Sequence, residues 1–307
     1  MRALIIGGSG FVGSHLSTFL KEKLCCETVL TSSKNENVQF RHLDVLSTRS
    51  VEEALRAESP DLIFYLAAQS SVKLGWNEPV RTSEINVLGV HNFLEAYRKL
   101  GLNCKVLIVG SGEEYGYSVN RRPITEKEIL NPGNVYAVTK ACQNMISSVY
   151  AKAFSLPLIM TRTFNHFGPG QTETFVVADF CKQIAMIEKG ILPPQIRVGN
   201  LNAKRDFTYV KDIVEAYCNL ILFGEPGATY NVGTGKAVEV KKILDTLLSL
   251  TPIPIEIIKD QQKFRPLEVM EIVPDVTRLK DVTGWSPKIS LEEGLVETLE
   301  YWRCCFK

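Results

Sequence analysis

The 307-residue sequence predicts an α/β fold: a doubly wound parallel sheet followed by a smaller C-terminal α/β substrate lobe. Three observations predict it. Apolar runs of strand length alternate with helix-period segments through the first half, as the crossovers of a parallel sheet require. A glycine-rich turn, GGSGFVG at 7–13, stands between the first apolar run and the first helical pattern. Beyond residue 163 the alternation weakens and Pro- and Gly-containing loops appear, HFGPGQ at 166–171 and KGILPPQ at 189–195.

Taken in order, Ala3–Ile6 is an apolar run that stops at glycines, and Phe11–Lys23 has helical spacing. Thr28–Leu30 is a short strand and Asn37–Val45 contains another. Ser50–Glu58 reads as a helix and Asp61–Ala68 as a buried strand. The helix Asn86–Leu100 leads into the strand Lys105–Val109. After Asn134 a helical pattern runs to Phe154, and the strand Leu156–Thr163 follows. Short strands are expected near Ile196–Val198 and Ile255–Ile258, and the helices Val240–Leu250 and Leu291–Trp302 close the chain. The expected division is 1–163 plus a returning segment 206–232 for the sheet domain, with 164–205 and 233–307 forming the second lobe.

Composition excludes several functions. Net charge is +1 and 45% of residues are hydrophobic, so no electrostatic case exists for nucleic acid or a membrane surface. The longest apolar runs, such as Leu62–Ala68, are too short to span a bilayer. The N-terminus enters a strand at once, which leaves no room for a signal peptide. The eight cysteines (25, 26, 104, 142, 181, 218, 304 and 305) form no CxxC pair. They read as free thiols of a cytoplasmic protein. The four histidines (15, 42, 91 and 166) are scattered, and no metal site is expected.

The glycine spacing Gly7-x-x-Gly10-x-x-Gly13, after a strand and opening a helix through Phe11 and Val12, is that of a dinucleotide cradle. Its glycines permit a tight turn, close backbone approach to phosphate, and close helix–strand packing. NAD sites often carry a carboxylate at the end of the second strand. Here Thr31, Ser32 and Ser33 are neutral and Lys34 is basic. The expectation is NADP(H) as preferred cofactor, with NAD(H) as the alternative. Asp44 and Val45 are placed near the adenine, and Leu66, Ala67 and Ala68 along the diphosphate and ribose.

Tyr136 and Lys140 lie four residues apart at the start of a helix, hence on one face. A nearby ammonium lowers a phenol's pKa from about 10 towards working pH. Such a phenol can exchange a proton with a sugar oxygen while hydride moves at the adjacent carbon. Ser111, at the end of the strand Lys105–Val109, is placed to hydrogen-bond the same oxygen. Next to it GSGEEYG (110–116) sets Glu113 and Glu114 where a parallel sheet ends and a pocket begins. They are either solvated loop residues, or one of them is an acid or base.

These segments, together with LAAQSSV (66–72), INVLGVHNFLEA (85–96), NPGNVYAVTK (131–140), RTFNHFGPGQ (162–171), GNLNAKRDFTYVKDIV (199–214) and FRPLEV (264–269), resemble the extended short-chain dehydrogenases/reductases that act on nucleotide sugars. FNHFGPGQTETFV with VGNLNAKRDFT is most similar to that family's GDP-mannose branch, which holds dehydratases and 4-keto-6-deoxyhexose reductases. The resemblance implies a catalytic set of Ser111, Tyr136 and Lys140, with Lys140 also holding the nicotinamide ribose. It implies that Asn165 contacts the sugar nucleotide, that Arg205 and Arg265 grip its diphosphate, and that Glu268 meets the nucleoside. Ser70, Glu113 and Val176 complete the implied substrate set. In the family's dehydratases the residue matching Glu113 helps remove a sugar proton.

Three positions depart from the family pattern: Ile6 before Gly7 where threonine is usual, Gly112 where relatives carry serine, threonine or aspartate, and Asn134 where serine is usual. The resemblance implies an NAD(P)H-dependent reductase of a GDP-4-keto-6-deoxyhexose, forming GDP-D-rhamnose. A 4,6-dehydratase, a nucleotide-sugar 4-epimerase and a non-catalytic dinucleotide sensor are the alternatives. The resemblance also implies a homodimer, built on the helix Asn86–Leu100 and the helix carrying Tyr136, with Leu88, Phe93, Met145 and Val149 as candidate apolar contacts.

Overall fold

The computed structural model describes residues 1–34, 39–117, 123–264 and 270–306. The first half runs Arg2–Ile6 (β1), Phe11–Leu24 (α1), Glu27–Ser32 (β2), Arg41–His42 (β3), Thr48–Glu58 (α2), Leu62–Tyr65 (β4), Val72–Asn77 (α3), Pro79–Ser83 (α4), Gly89–Lys99 (α5), Lys105–Ser111 (β5), Val135–Phe154 (α6) and Leu158–Thr163 (β6). The remainder runs Asn165–Phe167 (β7), Val176–Glu188 (α7), Gln195–Val198 (β8), Lys204–Tyr209 (β9), Val210–Phe223 (α8), Thr229–Val232 (β10), Ala237–Glu239 (β11), Val240–Leu248 (α9), Glu256–Lys259 (β12), Glu271–Ile272 (β13), Thr277–Thr283 (α10) and Leu291–Cys305 (α11).

Seven strands form one sheet in the order β10-β6-β5-β4-β1-β2-β3, and every pairing is parallel. Successive side chains of a strand point to opposite faces. In β1, Ala3 and Ile5 therefore join one core with Leu16 and Leu20 of α1 and Tyr217 of α8. Leu4 and Ile6 join the other, with Phe93 and Leu94 of α5 and Leu55 of α2. Both faces are covered, so the strands read as continuous apolar runs.

The second lobe holds β11-β9-β13 with β7 beside β9, and a separate β8–β12 pair. Phe180, Ile184, Tyr209, Leu244 and Trp302 pack at its centre.

The structure corrects several boundaries. β9 belongs to the small sheet through Tyr209, so the return to the large sheet begins at Val210 rather than at 206. Leu279 of α10 and Trp285 pack in the same core as α1 and α8, so part of the expected second lobe lies against the large sheet. The expected helix 86–100 opens with a π turn, Glu84–Leu88, before α5. The helices α3, α4, α7, α8 and α10 were not anticipated, although the buried Cys181, Ile184 and Ala185 of α7 carry helical spacing.

Candidate active site

A cavity of about 760 Å³ opens along the carboxyl ends of the sheet strands. A doubly wound sheet offers its ligand crevice there. One end is the glycine turn. Gly7 has φ +85°, and a Cβ on it would sit 2.8 Å from the Ala67 backbone. A Cβ on Gly13 would stand 2.5 Å from the Gly8 carbonyl. Both positions need glycine, the first for a left-handed turn against β4's exit and the second for helix α1 to meet the turn. Gly7, Gly10, Phe11, Val12, Gly13, Ser32, Ser33, Asp44, Val45, Leu66, Ala67 and Ala68 all line the cavity.

Two cofactor expectations are not met by the geometry. Thr31 is buried, and its hydroxyl accepts from Gly7 N at 3.2 Å and donates to the Ile5 carbonyl at 3.3 Å. It ties β2 to the glycine turn instead of facing the cavity. Lys34 is exposed and is not among the lining residues; its backbone N–H donates to Ser32 Oγ at 3.1 Å.

The reactive end brings together Ser111, Glu113, Tyr136 and Lys140, all lining the cavity. Ser111 closes β5. Tyr136 and Lys140 stand on the first turns of α6, which begins where it does because the Asn134 side-chain Oδ1 accepts from Ala137 N at 2.9 Å. Lys140 Nζ donates to the Val109 carbonyl at 2.6 Å and to Gln143 Oε1 at 2.8 Å. Burial pulls its pKa down to about 8, opposed by the charge of Glu114.

The Tyr136 phenol departs from expectation. Burial pushes its pKa up, the Ser111 hydrogen bond opposes, and the charges of Glu113 and Glu114 push it further up. The anticipated lowering by Lys140 does not dominate, because burial is the largest influence on the phenol and the charges of Glu113 and Glu114 add to it. The phenol is therefore held in its proton-bearing form.

The two adjacent glutamates have opposite fates. Glu113 lines the cavity, and its Oε2 accepts from Asn134 Nδ2 at 3.2 Å. Glu114 is fully buried behind it. It accepts from Ser111 N at 2.8 Å, from Asn144 Nδ2 at 3.1 and 3.0 Å, and from Arg162 Nε at 3.0 Å. Arg162 also donates to Tyr115 Oη at 3.0 Å and to the Glu126 carbonyl at 3.1 Å. Burial pushes the Glu114 carboxyl up, while the guanidinium and these N–H donors draw it down. Its hydrogen-bond partners among the described residues are all donors, which favours the carboxylate.

Of the expected substrate residues, Ser70, Glu113 and Asn165 line the cavity. Val176 does not: it packs into the second lobe's core, and Phe175 just before it faces the cavity. Arg205 is buried at 6% exposure outside the lining, and its Nη1 donates to the carbonyls of Lys204 at 2.8 Å and Met270 at 3.4 Å. Arg265 and Glu268 lie outside the described residues.

Sequence reasoning missed Phe164, His166, Arg81 and Gln171, which also line the cavity. His166 stacks on Phe11 at 6.0 Å and 4°, joining the glycine turn to the start of the second lobe. Burial lowers its pKa, and its Nδ1 donates to the Phe164 carbonyl at 3.0 Å, so the ring is neutral at neutral pH. The Phe164 ring lies 2.9 Å from where a Cβ on Gly112 would stand.

Fold and site together are those of the extended short-chain dehydrogenases/reductases acting on nucleotide sugars. Within that class the chain belongs to the family described as GDP-mannose 4,6 dehydratase, whose model matches residues 4–298. A Pseudomonas aeruginosa protein named GDP-6-deoxy-D-mannose reductase is 33% identical over 302 residues, covering 98% of this chain and 97% of that relative. A solved structure described as RMD from Pseudomonas aeruginosa complexed with NADPH matches with a TM-score of 0.90 at 32% identity, covering 99% of each chain. A UDP-glucose 4-epimerase from Thermotoga maritima with UDP-glucose matches with a TM-score of 0.91 at 28% identity, covering 100% of each chain.

Proposed function

We propose that this protein reduces the 4-keto group of GDP-4-keto-6-deoxy-D-mannose to give GDP-D-rhamnose, with NADPH preferred and NADH as the alternative reductant. The observation that carries it is the meeting of Ser111, Tyr136 and Lys140 at one end of a cavity whose other end is the glycine cradle. The 33% identity to a GDP-6-deoxy-D-mannose reductase supports the substrate class. The neighbour complexed with NADPH and the neutral Ser32 and Ser33 support the cofactor preference.

The cradle fits a dinucleotide, because the glycine turn lines the cavity and opens directly into the N-terminus of α1, whose free backbone N–H groups suit a diphosphate. When bound, the reduced nicotinamide supplies the hydride. The chain's residues do the rest. The Ser111 hydroxyl donates to the keto oxygen and polarises the carbonyl. Tyr136, held protonated by burial and the two carboxylates, delivers its proton to that oxygen as charge develops. Lys140 keeps an ammonium near the phenolate so formed and would hold the ribose of a bound cofactor. Asn165 and Ser70 orient the sugar nucleotide from the cavity wall.

Glu113 favours one second reading, a dehydratase, since its carboxylate lines the cavity beside Tyr136. Absorbance of the reduced nicotinamide separates the two. Reductant consumed only with the keto sugar establishes the reductase. A keto sugar formed from GDP-mannose with no added reductant establishes the dehydratase.

We read the assembly as a cytoplasmic homodimer. Val138, Met145 and Val149 form an exposed apolar stripe on α6, and Leu88 is exposed on the neighbouring π turn. Phe93 is fully buried, so it belongs to the core and not to this face. All eight cysteines are unpaired, which suits a reducing compartment. Among the described residues no helix is long and apolar enough to cross a membrane.

A further inference from the structure

Glu114 touches no part of the cavity, yet it is the point where three elements of the site converge. Its carboxylate takes the Ser111 amide from β5, the Asn144 side chain from α6 and the Arg162 guanidinium from β6. Asn144 stands one helical turn beyond Lys140 and also donates to the Thr161 carbonyl at 3.1 Å. The backbone is cut to admit this carboxylate: a Cβ on Gly110 would lie 2.5 Å from Glu114 Oε1 and 2.2 Å from the Thr161 carbonyl. Ser111 in turn caps the short turn Gly112–Tyr115, accepting from Glu113 N at 3.2 Å while Glu114 reaches back to the Ser111 amide. A bond made in both directions fixes the serine's backbone within the turn.

We propose that Glu114 is a positioning residue for the reduction. Through the Ser111 amide it sets the serine that polarises the carbonyl, and through Asn144 it sets the helix that carries Tyr136 and Lys140. The proposal rests on the reading that these three residues do the chemistry. It adds that a buried charge behind them holds their geometry and helps keep the Lys140 ammonium charged. Among the described residues, the titratable and charged groups that share the cavity lining with Lys140 or pack behind it include Tyr136 on its own helix, Glu113 and Glu114 on the turn after β5, Arg162 on β6, Tyr217 on α8, and Arg81 and His166 on the cavity wall. Burial acts against the Lys140 ammonium, and the charge of Glu114 opposes it and favours the ammonium. Removing its charge lets Lys140 lose its proton at lower pH, so the alkaline fall in turnover moves to lower pH.

The test uses two variants of the full chain, Glu114→Gln and Glu114→Gln/Arg162→Gln. The second leaves no lone buried guanidinium and carries the test if the first does not fold. Three quantities are read: kcat and KM for keto-sugar reduction, the pH profile of kcat, and hydrogen exchange of the Ser111 amide. The expected result is a kcat loss on the order of a hundredfold with KM little changed, an alkaline limb shifted to lower pH, and a faster-exchanging Ser111 amide. Folded variants with the wild-type kcat, pH profile and amide protection overturn the proposal. Amide exchange reads positioning without turnover. A wild-type protein inactive on the keto sugar, whose Ser111 amide still depends on Glu114, therefore refutes the substrate reading and leaves the positioning role standing.

Discussion

The Asn134 side chain donates its amide to Glu113 Oε2 at 3.2 Å while its carbonyl oxygen caps the helix that carries Tyr136. One residue thus fixes both the start of α6 and the direction of the cavity carboxylate. Asn134→Ala removes both contacts, and loss of the cap costs about 1 kcal/mol. Asn134→Asp keeps the cap but sets a second carboxylate beside Glu113, where like charges repel. The expected outcome in urea unfolding is a loss for the alanine variant and little change for the aspartate variant. Turnover falls in both. Equal destabilisation by the two substitutions would show that the cap is not what Asn134 contributes.

Gly112 and Phe164 form a second pair whose fit is exclusive. A Cβ at 112 meets the ring at 2.9 Å, and Phe164 is only 3% exposed, with little freedom to withdraw. Gly112→Ala is expected to cost about 1–3 kcal/mol through overpacking. Phe164→Leu makes room, so the double variant recovers part of that loss, and the two changes are non-additive. Denaturant melts of the two singles and the double decide it. Strictly additive losses would mean that the ring does not set the limit at 112.

The proposed cofactor preference rests on Ser32 and Ser33, the neutral residues at the end of β2 that line the cavity. Ser33→Asp places a carboxylate where a 2′-phosphate would sit. Its repulsion, about 1 kcal/mol at 4 Å in water and more where water is excluded, lowers the NADPH-to-NADH preference by roughly five- to tenfold. The ratio of kcat/KM for the two reductants is the measurement. An unchanged ratio would move the phosphate site away from Ser33.

How much of this was legible in sequence follows from range. The glycine turn, the strand-end Ser111 and the Tyr136–Lys140 spacing are local signals, and the structure gathers them all in one cavity. The fate of Glu114 was not legible, because its partners Asn144 and Arg162 lie 30 and 48 residues away. Nothing in GSGEEYG says which glutamate turns inward. Thr31 illustrates the same gap. It stands at the right strand end, but side chains alternate, and its hydroxyl is used up by Gly7 and Ile5. Arg205 reads as a surface or ligand arginine in the local string KRDF, yet strand pairing buries it beside Met270. The Tyr136 phenol was misjudged for a different reason: spacing reveals the lysine four residues on, but not the burial and the two carboxylates that raise the phenol.

The stripe on α6 makes the last prediction. Met145 and Val149 are each 62% exposed and Val138 45%, and their spacing of seven and four residues keeps them on one face. That face turns away from the cavity, since none of the three lines it. Exposed apolar residues scattered singly need no partner, but a contiguous helical stripe does. Met145→Glu/Val149→Glu puts two like charges into a self-complementary contact and repeats them on the second copy. If the stripe is a dimer face, light scattering reads a halved mass, and the melting temperature falls with the lost interface. If the chain is a monomer, both substitutions are ordinary surface changes worth within about 0.5 kcal/mol, and neither quantity moves. A variant that keeps the dimer's mass would place the contact on another surface, with Leu88 and the π turn as the next residues to change.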